Sequence, residues 1–514
     1  MRHQIFATRG KTISASITTA LVAVLVIAAP GRLFAQIGPT QDNHVRYVVI
    51  DTGTLGGPSS FLGFEQSRNI NNRGMLAAAT DTAIPTTQPF CLGDCFISDV
   101  TIWQDGRLFD LGTIPGPGGG TAWISDSGLV AGLAMNGQLD PVTGIAELEP
   151  VLWKDGGPIN LGTFGGTQGI AGGVNDLGQV VGCATNLIPD SFSTCMGVPQ
   201  ATQSRAFLWQ NGKMLDLGTL GGSDANAFIV NDLGQVTGWS LTNDTPNPVT
   251  GIPTLHPFFW QAGKMIDIGT LGGTWASPNW LNNAGQVVGQ SNLKGDTFSH
   301  PFLWQMGKLR DLGTLGGTFG TAISISEVGE VVGWSSTTGD QVVHAFRWTH
   351  AGMIDLGVLP GKLCSVAYAV NSIGQIVGDA DTDCNQGNAS AFLWENGSLI
   401  DLNTFVSPTS GAHLTFALSI NERGEIAALG LLPNADQHAL LVIPCDENHP
   451  GIGVCDYSLI KTSTTSAPGS IQPAQKSTAG NPGIPALAST LSNPMIHSIG
   501  RRLWHRSVVP QPQK

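Results

Sequence analysis

The sequence predicts an all-β protein built from a repeated unit, and three recurring features predict it. A Trp closes a short apolar segment seven times, at intervals of 44 to 56 residues. The Asp or Asn of a D-L-G-like segment always follows the Trp by seven positions, and an N-x-x-G-like turn and a V-V-G-like segment come later. The tryptophans are Trp103, Trp153, Trp209, Trp260, Trp304, Trp348 and Trp394. A constant spacing over so many copies indicates one structural unit that is stacked repeatedly.

The turns between these segments favour strands over helices. We name the Trp segment a, the D-L-G segment b, the segment before N-x-x-G c, and the V-V-G segment d. Between a and b stand Asp105-Gly106, Asp155-Gly156, Asn211-Gly212 and Asn396-Gly397. These dipeptides supply the two positive φ angles of a tight hairpin turn. Each copy is therefore predicted to form four short antiparallel strands.

Four strands at this period predict a β-propeller. The first copy starts at strand b, within residues 46–52, and the last piece, 438–443, is an isolated strand a. Pairing these two ends would remove two exposed sheet edges. We therefore predict eight four-stranded blades closed by pairing of the N- and C-terminal strands. Seven blades and an open solenoid are the alternatives.

The recurring HAFLW-like and DLGTLGG-like segments resemble the HAF repeat family, whose name-giving triplet stands here as His344-Ala345-Phe346. The resemblance covers residues 46–444. It implies an extracellular bacterial repeat protein of unsettled biochemical role, and it supplies no catalytic residues.

The chain divides into five predicted segments. Residues 1–35 read as a signal peptide, because basic residues precede an apolar run that ends at a small residue. A short leader (36–45), the propeller (46–444), a Cys-containing loop (445–460) and a disordered Ser/Thr/Pro-rich basic tail (461–514) follow. This organisation predicts a secreted or otherwise extracytoplasmic protein with no transmembrane segment after signal removal.

Charge and cysteine usage narrow the class further. The formal net charge of −13, although the tail is basic, argues against nucleic acid as a partner. An even number of cysteines in an exported chain favours disulfides, and we expect neighbours in sequence to pair. The expected pairs are Cys91 with Cys95, Cys183 with Cys195, Cys364 with Cys384, and Cys445 with Cys455.

The predicted function depends on which connections vary. The d–a connection is long after the first four copies and short after the next three, whereas the turns at the other end are constant. Variable loops on a rigid scaffold commonly bind ligands. We predict a non-catalytic binding or scaffold protein whose d–a face meets a glycan, a peptide or an envelope component. A carbohydrate-active hydrolase or lyase, or a structural surface component, is the alternative.

Candidate site residues are few, and the sequence contains no H-E-x-x-H, G-x-S-x-G, P-loop or dinucleotide-binding motif. The repeat tryptophans and His256, His300, His344 and His438 are expected to be structural. Trp239, Trp275, Trp280 and Trp334 lie outside the repeat position and are expected to be more exposed. Asp140, Glu147, Glu149 and Asp190 are the acids that a hydrolase would use. Asp379, Asp381 and Asp383 alternate as calcium ligands do, although the usual Gly and final Glu are missing; no other cofactor is predicted.

Overall fold

The structure, a computed structural model, is all-β over the residues that it describes, which are 47–63, 67–87, 95–190, 192–384, 388–406, 410–446 and 449. Within these ranges lie 34 strands, one 3₁₀ helix (Leu402–Phe405) and no α-helix. The described residues contain no helix with the length and apolar character to cross a membrane. The predicted signal peptide, leader and tail, and most of the loop 445–460, lie outside these ranges.

Most strands form antiparallel groups of four, which we call units, and the order across each unit is c, d, a, b. There are five separate four-stranded sheets and a twelve-stranded sheet made of three more units. Units 1 to 3 and the N-terminal strand comprise β1 (Tyr47–Asp51), β2 (Gly56–Phe61), β3 (Leu76–Pro85), β4 (Phe96–Gln104), β5 (Arg107–Asp110), β6 (Gly118–Ile124), β7 (Val130–Leu139), β8 (Ala146–Lys154), β9 (Gly157–Asn160), β10 (Gly169–Val174), β11 (Val180–Pro189), β12 (Thr194–Cys195), β13 (Val198–Pro199), β14 (Thr202–Gln210) and β15 (Lys213–Asp216).

Units 4 to 8 complete the described chain. They comprise β16 (Ala225–Val230), β17 (Val236–Pro246), β18 (Pro253–Gln261), β19 (Lys264–Asp267), β20 (Gly272–Leu281), β21 (Val287–Leu293), β22 (Ser299–Gln305), β23 (Lys308–Asp311), β24 (Gly316–Ile325), β25 (Val331–Thr337), β26 (Val343–Thr349), β27 (Gly352–Gly357), β28 (Cys364–Val370), β29 (Ile376–Asp381), β30 (Ser390–Glu395), β31 (Ser398–Asp401), β32 (His413–Ile420), β33 (Ile426–Leu431) and β34 (Gln437–Pro444). Each unit thus combines c and d of one sequence copy with a and b of the next.

In the units whose strand a carries a Phe opposite it, the V-V-G glycine is required by close packing. Gly182 on β11 lies opposite Phe207 on β14, whose side chain is fully buried. A Cβ at Gly182 would lie 2.0 Å from the carbonyl oxygen of Ile170 and 2.8 Å from the Phe207 ring. Gly378 and Phe392 repeat this arrangement in unit 7. The aromatic residue of strand a therefore fixes the glycine of strand d.

The hydrophobic core lies largely between neighbouring units. One cluster joins Leu208 and Leu217 of unit 3 to Phe258 and Trp260 of unit 4. Another cluster packs Trp153 of unit 2 against strand a of unit 1. The indole nitrogen of Trp153 also donates a 2.8 Å hydrogen bond to the carbonyl of Gly112. The repeat tryptophans Trp103, Trp153, Trp260, Trp304 and Trp348 are buried, and Trp209 and Trp394 are partly buried.

The first and last strands of the repeat region pair with each other. β1 is antiparallel to β34, with Val48 opposite Ile443 and Ile50 opposite Leu441. The amide of Thr52 also donates to the carbonyl of Ala439. Unit 8, formed by β32, β33, β34 and β1, packs against unit 7 on one side and unit 1 on the other. The N-terminal strand therefore completes a sheet whose other three strands come from the end of the repeat region.

Candidate functional site

The long d–a connections, which the sequence suggests are loops, are extended β-hairpins. In unit 2 the strands β7 and β8 stay paired out to Leu139 and Ala146, so the turn between them is short. In unit 4, β17 and β18 pair out to Pro246 and Pro253. In both hairpins the register shifts along the way, which marks a β-bulge. The expected variable face is therefore built of rigid arms.

The repeated P-V-T-G-I sequence forms the same turn at two hairpin tips. A carboxylate oxygen of Asp140 accepts hydrogen bonds from the amides of Val142 and Thr143, at 2.9 and 2.6 Å. The side-chain oxygen of Asn247 accepts from the amides of Val249 and Thr250, at 2.7 and 3.2 Å. An acceptor side chain followed by Pro and a later Gly encodes this turn locally. The repetition thus has a structural cause.

The hairpin of unit 3 carries a disulfide and rests on unit 4. Cys183 pairs with Cys195, and a small two-stranded sheet, β12 with β13, extends the arm. The side-chain amide of Asn226 donates to the carbonyl of Thr194 at 2.9 Å, and its oxygen accepts from the amide of Met196 at 2.9 Å. Cys364 pairs with Cys384 in unit 7. Cys95 and Cys445 are also disulfide-bonded, and the other cysteine of each pair lies outside the described residues.

A buried carboxyl group lies beneath the arm of unit 3. Asp224 is fully buried and accepts hydrogen bonds from the Ser204 amide and from the hydroxyls of Ser193 and Ser223. Burial raises the pKa of Asp224 to about 6, although these hydrogen bonds oppose the shift. Because Ser193 belongs to the arm and Asp224 to unit 4, this carboxyl group couples the arm to the neighbouring unit.

Aliphatic side chains, and not tryptophans, are exposed at the hairpin tips. Val142 is 77% exposed, Leu187 75% and Val249 54%. Trp239 and Trp275, which we expected to be more exposed than the repeat tryptophans, are buried with Leu241 and Leu255 at the base of the unit 4 hairpin. Trp280 and Trp334 are partly buried. For Trp239 and Trp275 the expectation was wrong, because strands d and a of this hairpin continue past the sheet and pack against them.

The candidate hydrolase acids are held mainly by local contacts. Asp140 forms the turn described above, and an oxygen of Asp190 accepts from the amide of Phe192 at 2.8 Å. Glu147 and Glu149 both accept from the side-chain amide of Asn136, at 2.9 and 3.2 Å. These two glutamates lie on one strand, β8, with one residue between them. They therefore share a face of a sheet and do not face each other across a cleft.

The repeated histidines pair with the aspartates of the D-L-G segments. Nδ1 of His256, His300 and His344 lies 2.8 to 3.0 Å from the nearer carboxylate oxygen of Asp267, Asp311 and Asp355. His438 makes the same contact with Asp51 at 2.8 Å, across the β1–β34 pair. Burial works to raise the pKa of Asp267, but the hydrogen bonds from His256 and the Gly269 amide outweigh it, so this pKa lies below its usual value. These pairs tie strand a to strand b.

The predicted calcium residues are engaged within unit 7. Asp379 is buried and accepts a 2.7 Å hydrogen bond from the Tyr368 hydroxyl. Asp381 is also buried, and one of its oxygens accepts from the amide of Asp383 at 3.3 Å. In the part of the chain that the structure describes, no three His, Cys, Asp or Glu residues are arranged to hold a metal ion. Calcium binding by Asp379, Asp381 and Asp383 stays a prediction.

A cavity that sequence reasoning missed lies at the opposite end of the strands, where the c–d turns are. It has a volume of about 350 Å³, and residues from all eight units line it. Apolar residues from the ends of the c strands line its interior, among them Trp123 and Trp280. These two rings belong to units 2 and 5, yet their centroids are only 5.1 Å apart. We call this the shared cavity.

Polar residues of the c–d turns surround the shared cavity. The second residue of each turn is a rim position, and the eight are Asn72, Asp126, Asp176, Asp232, Asn283, Glu327, Ser372 and Glu422. Rim side chains accept hydrogen bonds from the turn amides of the preceding unit: the Asn283 amide donates to Glu327 at 3.0 Å, and the Ser372 amide donates to Glu422 at 3.0 Å. The amide of Glu422 donates to Asn72 at 3.0 Å, so unit 8 is bonded to unit 1 in the same way.

The first residue of these turns makes a second set of contacts between units. The side-chain amide of Asn231 donates to the carbonyl of Asn282 at 3.0 Å, and that of Asn421 donates to the carbonyl of Asn71 at 2.8 Å. The N-x-x-G spacing by itself predicts only a turn. The recurrence of an amide at its first position and of acids at its second could have indicated contacts between copies.

Comparisons with known proteins identify no family. No family model and no curated protein matches the chain. Among solved structures, a dipeptidyl peptidase 4 from Porphyromonas gingivalis aligns with a TM-score of 0.43 and 9% identity, over 76% of this chain and 60% of that one. A Trypanosoma rangeli sialidase aligns at 0.29 and 10%, over 77% and 59%, and its complex with the inhibitor DANA at 0.30 and 8%, over the same shares. This chain thus spans about three fifths of those structures, and at these TM-scores none indicates its activity.

Proposed function

We propose that the chain is an exported, non-catalytic binding protein, in which the eight units are the blades of a closed propeller. Three contacts support closure: β1 pairs with β34, unit 8 packs on both unit 7 and unit 1, and the turn hydrogen bonds run from unit 8 to unit 1. A cavity lined by all eight units fits a ring better than an open stack. Seven blades would leave one unit without a place.

Export rests on the N-terminal sequence and on the disulfides. The first 35 residues have the charge and hydropathy pattern of a signal peptide. The pairs Cys183–Cys195 and Cys364–Cys384 are compatible with an oxidising compartment. The resemblance to the HAF repeat family agrees with an extracellular location.

The binding surface that we propose is formed by the long d–a hairpins. The observation that carries this proposal is the exposure of aliphatic residues at their tips, with Val142 and Leu187 about three-quarters exposed. Exposed apolar side chains mark interaction sites when they form a contiguous patch, and the proposal is that the tips of these hairpins together form one. Since Trp239 and Trp275 are buried, they provide no stacking platform for sugars. We therefore favour a peptide or protein partner over a glycan.

The alternative function, a carbohydrate-active enzyme, requires two acids that flank a substrate. Glu147 and Glu149 are the nearest approach to such a pair among the predicted acids. They lie on the same strand and share Asn136 as a hydrogen-bond donor. A structural surface component, the other alternative, would use the same apolar tips to contact further copies of the chain.

A peptide-library selection and a glycan array test the proposed surface. The tip variant replaces Val142, Leu187 and Val249 with Ser. Its matched control replaces equally exposed residues at the other end of the strands, Leu177, Leu233 and Val328, with Ser. We expect peptides selected on the wild type to bind the tip variant at least about tenfold more weakly, because each lost aliphatic contact contributes about 1 kcal/mol.

The control variant should bind these peptides as the wild type does. Equal binding by the tip variant, or an equal loss in the control, would contradict the proposal. Glycan binding that survives in the tip variant would also count against it. Sedimentation at high concentration tests the alternative of a structural surface component. That alternative predicts that the wild type self-associates and that the tip substitutions abolish the self-association.

A further inference from the structure

The shared cavity has the size of a ligand site, and it lies at the opposite end of the strands from the proposed binding hairpins. Pockets for small molecules typically have volumes of about 300–1,000 Å³. The shared cavity, at about 350 Å³, falls within this range, and its lining combines apolar side chains of the c strands with a larger number of polar residues from the turns. Its base contains the contacting rings of Trp123 and Trp280, and aliphatic ends of the other c strands complete it.

The charge around this cavity is strongly negative. Four carboxylates line it, Asp126, Asp232, Glu327 and Glu422, and Arg68 is the one basic residue among its lining residues. Arg68 is already paired with Asp126. The remaining three carboxylates are held in place by amides of neighbouring turns, and none of them forms an ion pair with a described residue. An excess of carboxylates over a concave apolar surface attracts cations and repels anions.

The rim carboxylates act on one another across the cavity. Burial raises the pKa of the Glu327 carboxyl, and the charges of Glu422 and Asp232 raise it further, against the opposing effects of the Asn283 amide and of Arg68. Residues from four different units thus contribute to the environment of one carboxyl group. The negative charges of Glu422 and Asp232 thus make Glu327 harder to ionise, and a bound cation would relieve this repulsion.

The base of the cavity favours an organic cation over a metal ion. The rings of Trp123 and Trp280 offer apolar surface against which the alkyl chain of an organic cation can pack. The described residues also lack a cluster of three metal ligands. An inorganic ion would leave the apolar base of the cavity unused.

We propose that the shared cavity binds an organic ammonium ion, with its alkyl chain over Trp123 and Trp280 and its charge between Asp232, Glu327 and Glu422. The ammonium group could belong to a free polyamine or to a lysine side chain of a partner protein. This site is independent of the hairpin surface, and either can fail without the other.

The chain offers neutral replacements whose turns are already present in it. Asn72 and Asn283 occupy the rim position in units 1 and 5, so Asp232→Asn keeps an amide oxygen that can accept the same hydrogen bonds. Glu327→Gln is matched in shape. The control is Asp155→Asn, which removes a carboxylate from an a–b hairpin turn at the same end of the strands. Asn already stands at that turn in two other copies, Asn211 and Asn396, with nearly the same φ.

Isothermal titration of the full chain at low salt tests the proposal. Spermidine represents a free polyamine, and Nα-acetyl-lysine amide represents a protein side chain. 1,5-Pentanediol and cadaverine form a neutral and a charged pair of similar shape, and MgCl₂ supplies charge without an apolar body. We expect cadaverine and at least one of the first two ligands to bind, and the affinity to fall about tenfold in each rim variant and in moderate salt.

The Asp155→Asn control should bind as the wild type does. Equal binding of pentanediol and cadaverine would overturn the proposal, as would Mg²⁺ binding as tightly as the amines. Absence of heat with every amine would also overturn it. Trp280→Phe provides a second readout, because a smaller aromatic face should weaken amine binding and leave the rim charges unchanged. Retained amine affinity in Trp280→Phe would refute the assigned role of the indole.

Discussion

Proline substitutions in β1 can test closure by the N-terminal strand at the level of single hydrogen bonds. The amide of Thr52 donates to the carbonyl of Ala439, and the register then makes Val48 and Ile50 the hydrogen-bonded positions opposite Ile443 and Leu441. β1 is the edge strand of its sheet. The amide of Val49 therefore points away from β34. Val48→Pro removes a donor from the pair, and Val49→Pro does not.

The expected difference follows from the hydrogen bond. In Val48→Pro the carbonyl of buried Ile443 loses its donor, which costs about 2–3 kcal/mol when the unmet acceptor is included. Val49→Pro gives up part of an apolar contact in the cluster with Tyr47 and Val442, roughly 1 kcal/mol or less. Proline is tolerated on an edge strand where its missing donor would face solvent.

Thermal unfolding followed by circular dichroism measures both variants. At about 2 °C per kcal/mol for a chain of this size, Val48→Pro should lower Tm by roughly 4–6 °C and Val49→Pro by about 2 °C or less. Ile50→Pro should behave like Val48→Pro, because the amide of Ile50, two residues further along β1, also points toward β34. If Val49→Pro destabilises as much as its neighbour, either the register or the pairing of β1 with β34 is wrong.

Three further outcomes follow from the charges. Asp99 lies near Asp110 at a place where four other copies have a His–Asp pair, and burial together with the charge of Asp110 raises the pKa of Asp99. Asp99→His should therefore raise Tm at pH 7 by a few degrees, and an unchanged or lower Tm would contradict this. Burial raises the pKa of Asp224 from 3.8 to about 6 in the folded protein. The protonated carboxyl therefore stabilises the fold below pH 4, and about 3 kcal/mol of unfolding free energy is lost as the pH rises through 6. Asp224→Asn should remove that loss, and unfolding midpoints at pH 4 and pH 7.5 compare the two proteins. Neutralising Asp232, Glu327 and Glu422 together should raise Tm at low salt, with the gain shrinking in 0.5 M NaCl; a gain that salt does not change would exclude charge repulsion as its cause.

Local signals in the sequence were sufficient for the turns and strands. Asp105, Asp155, Asn211 and Asn396 all have φ between 50° and 54°, as their Asp-Gly or Asn-Gly sequences predict. The pairing of 438–443 with 46–52 could also be anticipated, because each piece lacks a partner that the other supplies. These predictions needed only short-range chemistry and a count of copies.

The grouping of strands into sheets could not be obtained in the same way. A periodic sequence fits a unit that starts at any of its four strands equally well. The structure places the break between b and c, so that each sheet draws on two sequence copies. Burial of Trp239 and Trp275 was missed for a related reason, because it depends on how far β17 and β18 extend beyond the sheet.

The shared cavity was the least accessible feature, because each unit contributes only a few residues to it. Trp123 and Trp280 are far apart in sequence and contact each other only because the c strands of eight units converge. A search for motifs examines residues that are close along the chain. Sites assembled from equivalent positions of separate copies are found by aligning the copies and comparing the residue types at one position.

The c–d turns contain one position whose residue type the fold restricts and one whose charge the fold does not require. At the first position of the c–d turn, Asn71, Asn231 and Asn421 donate a side-chain amide hydrogen bond to the next unit. The position varies only between Asn and Ser, whose side-chain oxygens both accept a hydrogen bond from the amide four residues later. The second position needs only an acceptor for a backbone amide, and Asn72 and Asn283 meet that need without charge. Five of the eight rim positions nevertheless carry a carboxylate, and Glu327 is destabilised by two of the others. Folding alone gives no reason to gather these charges around a cavity that contains two contacting tryptophan rings, whereas recognition of an organic cation does.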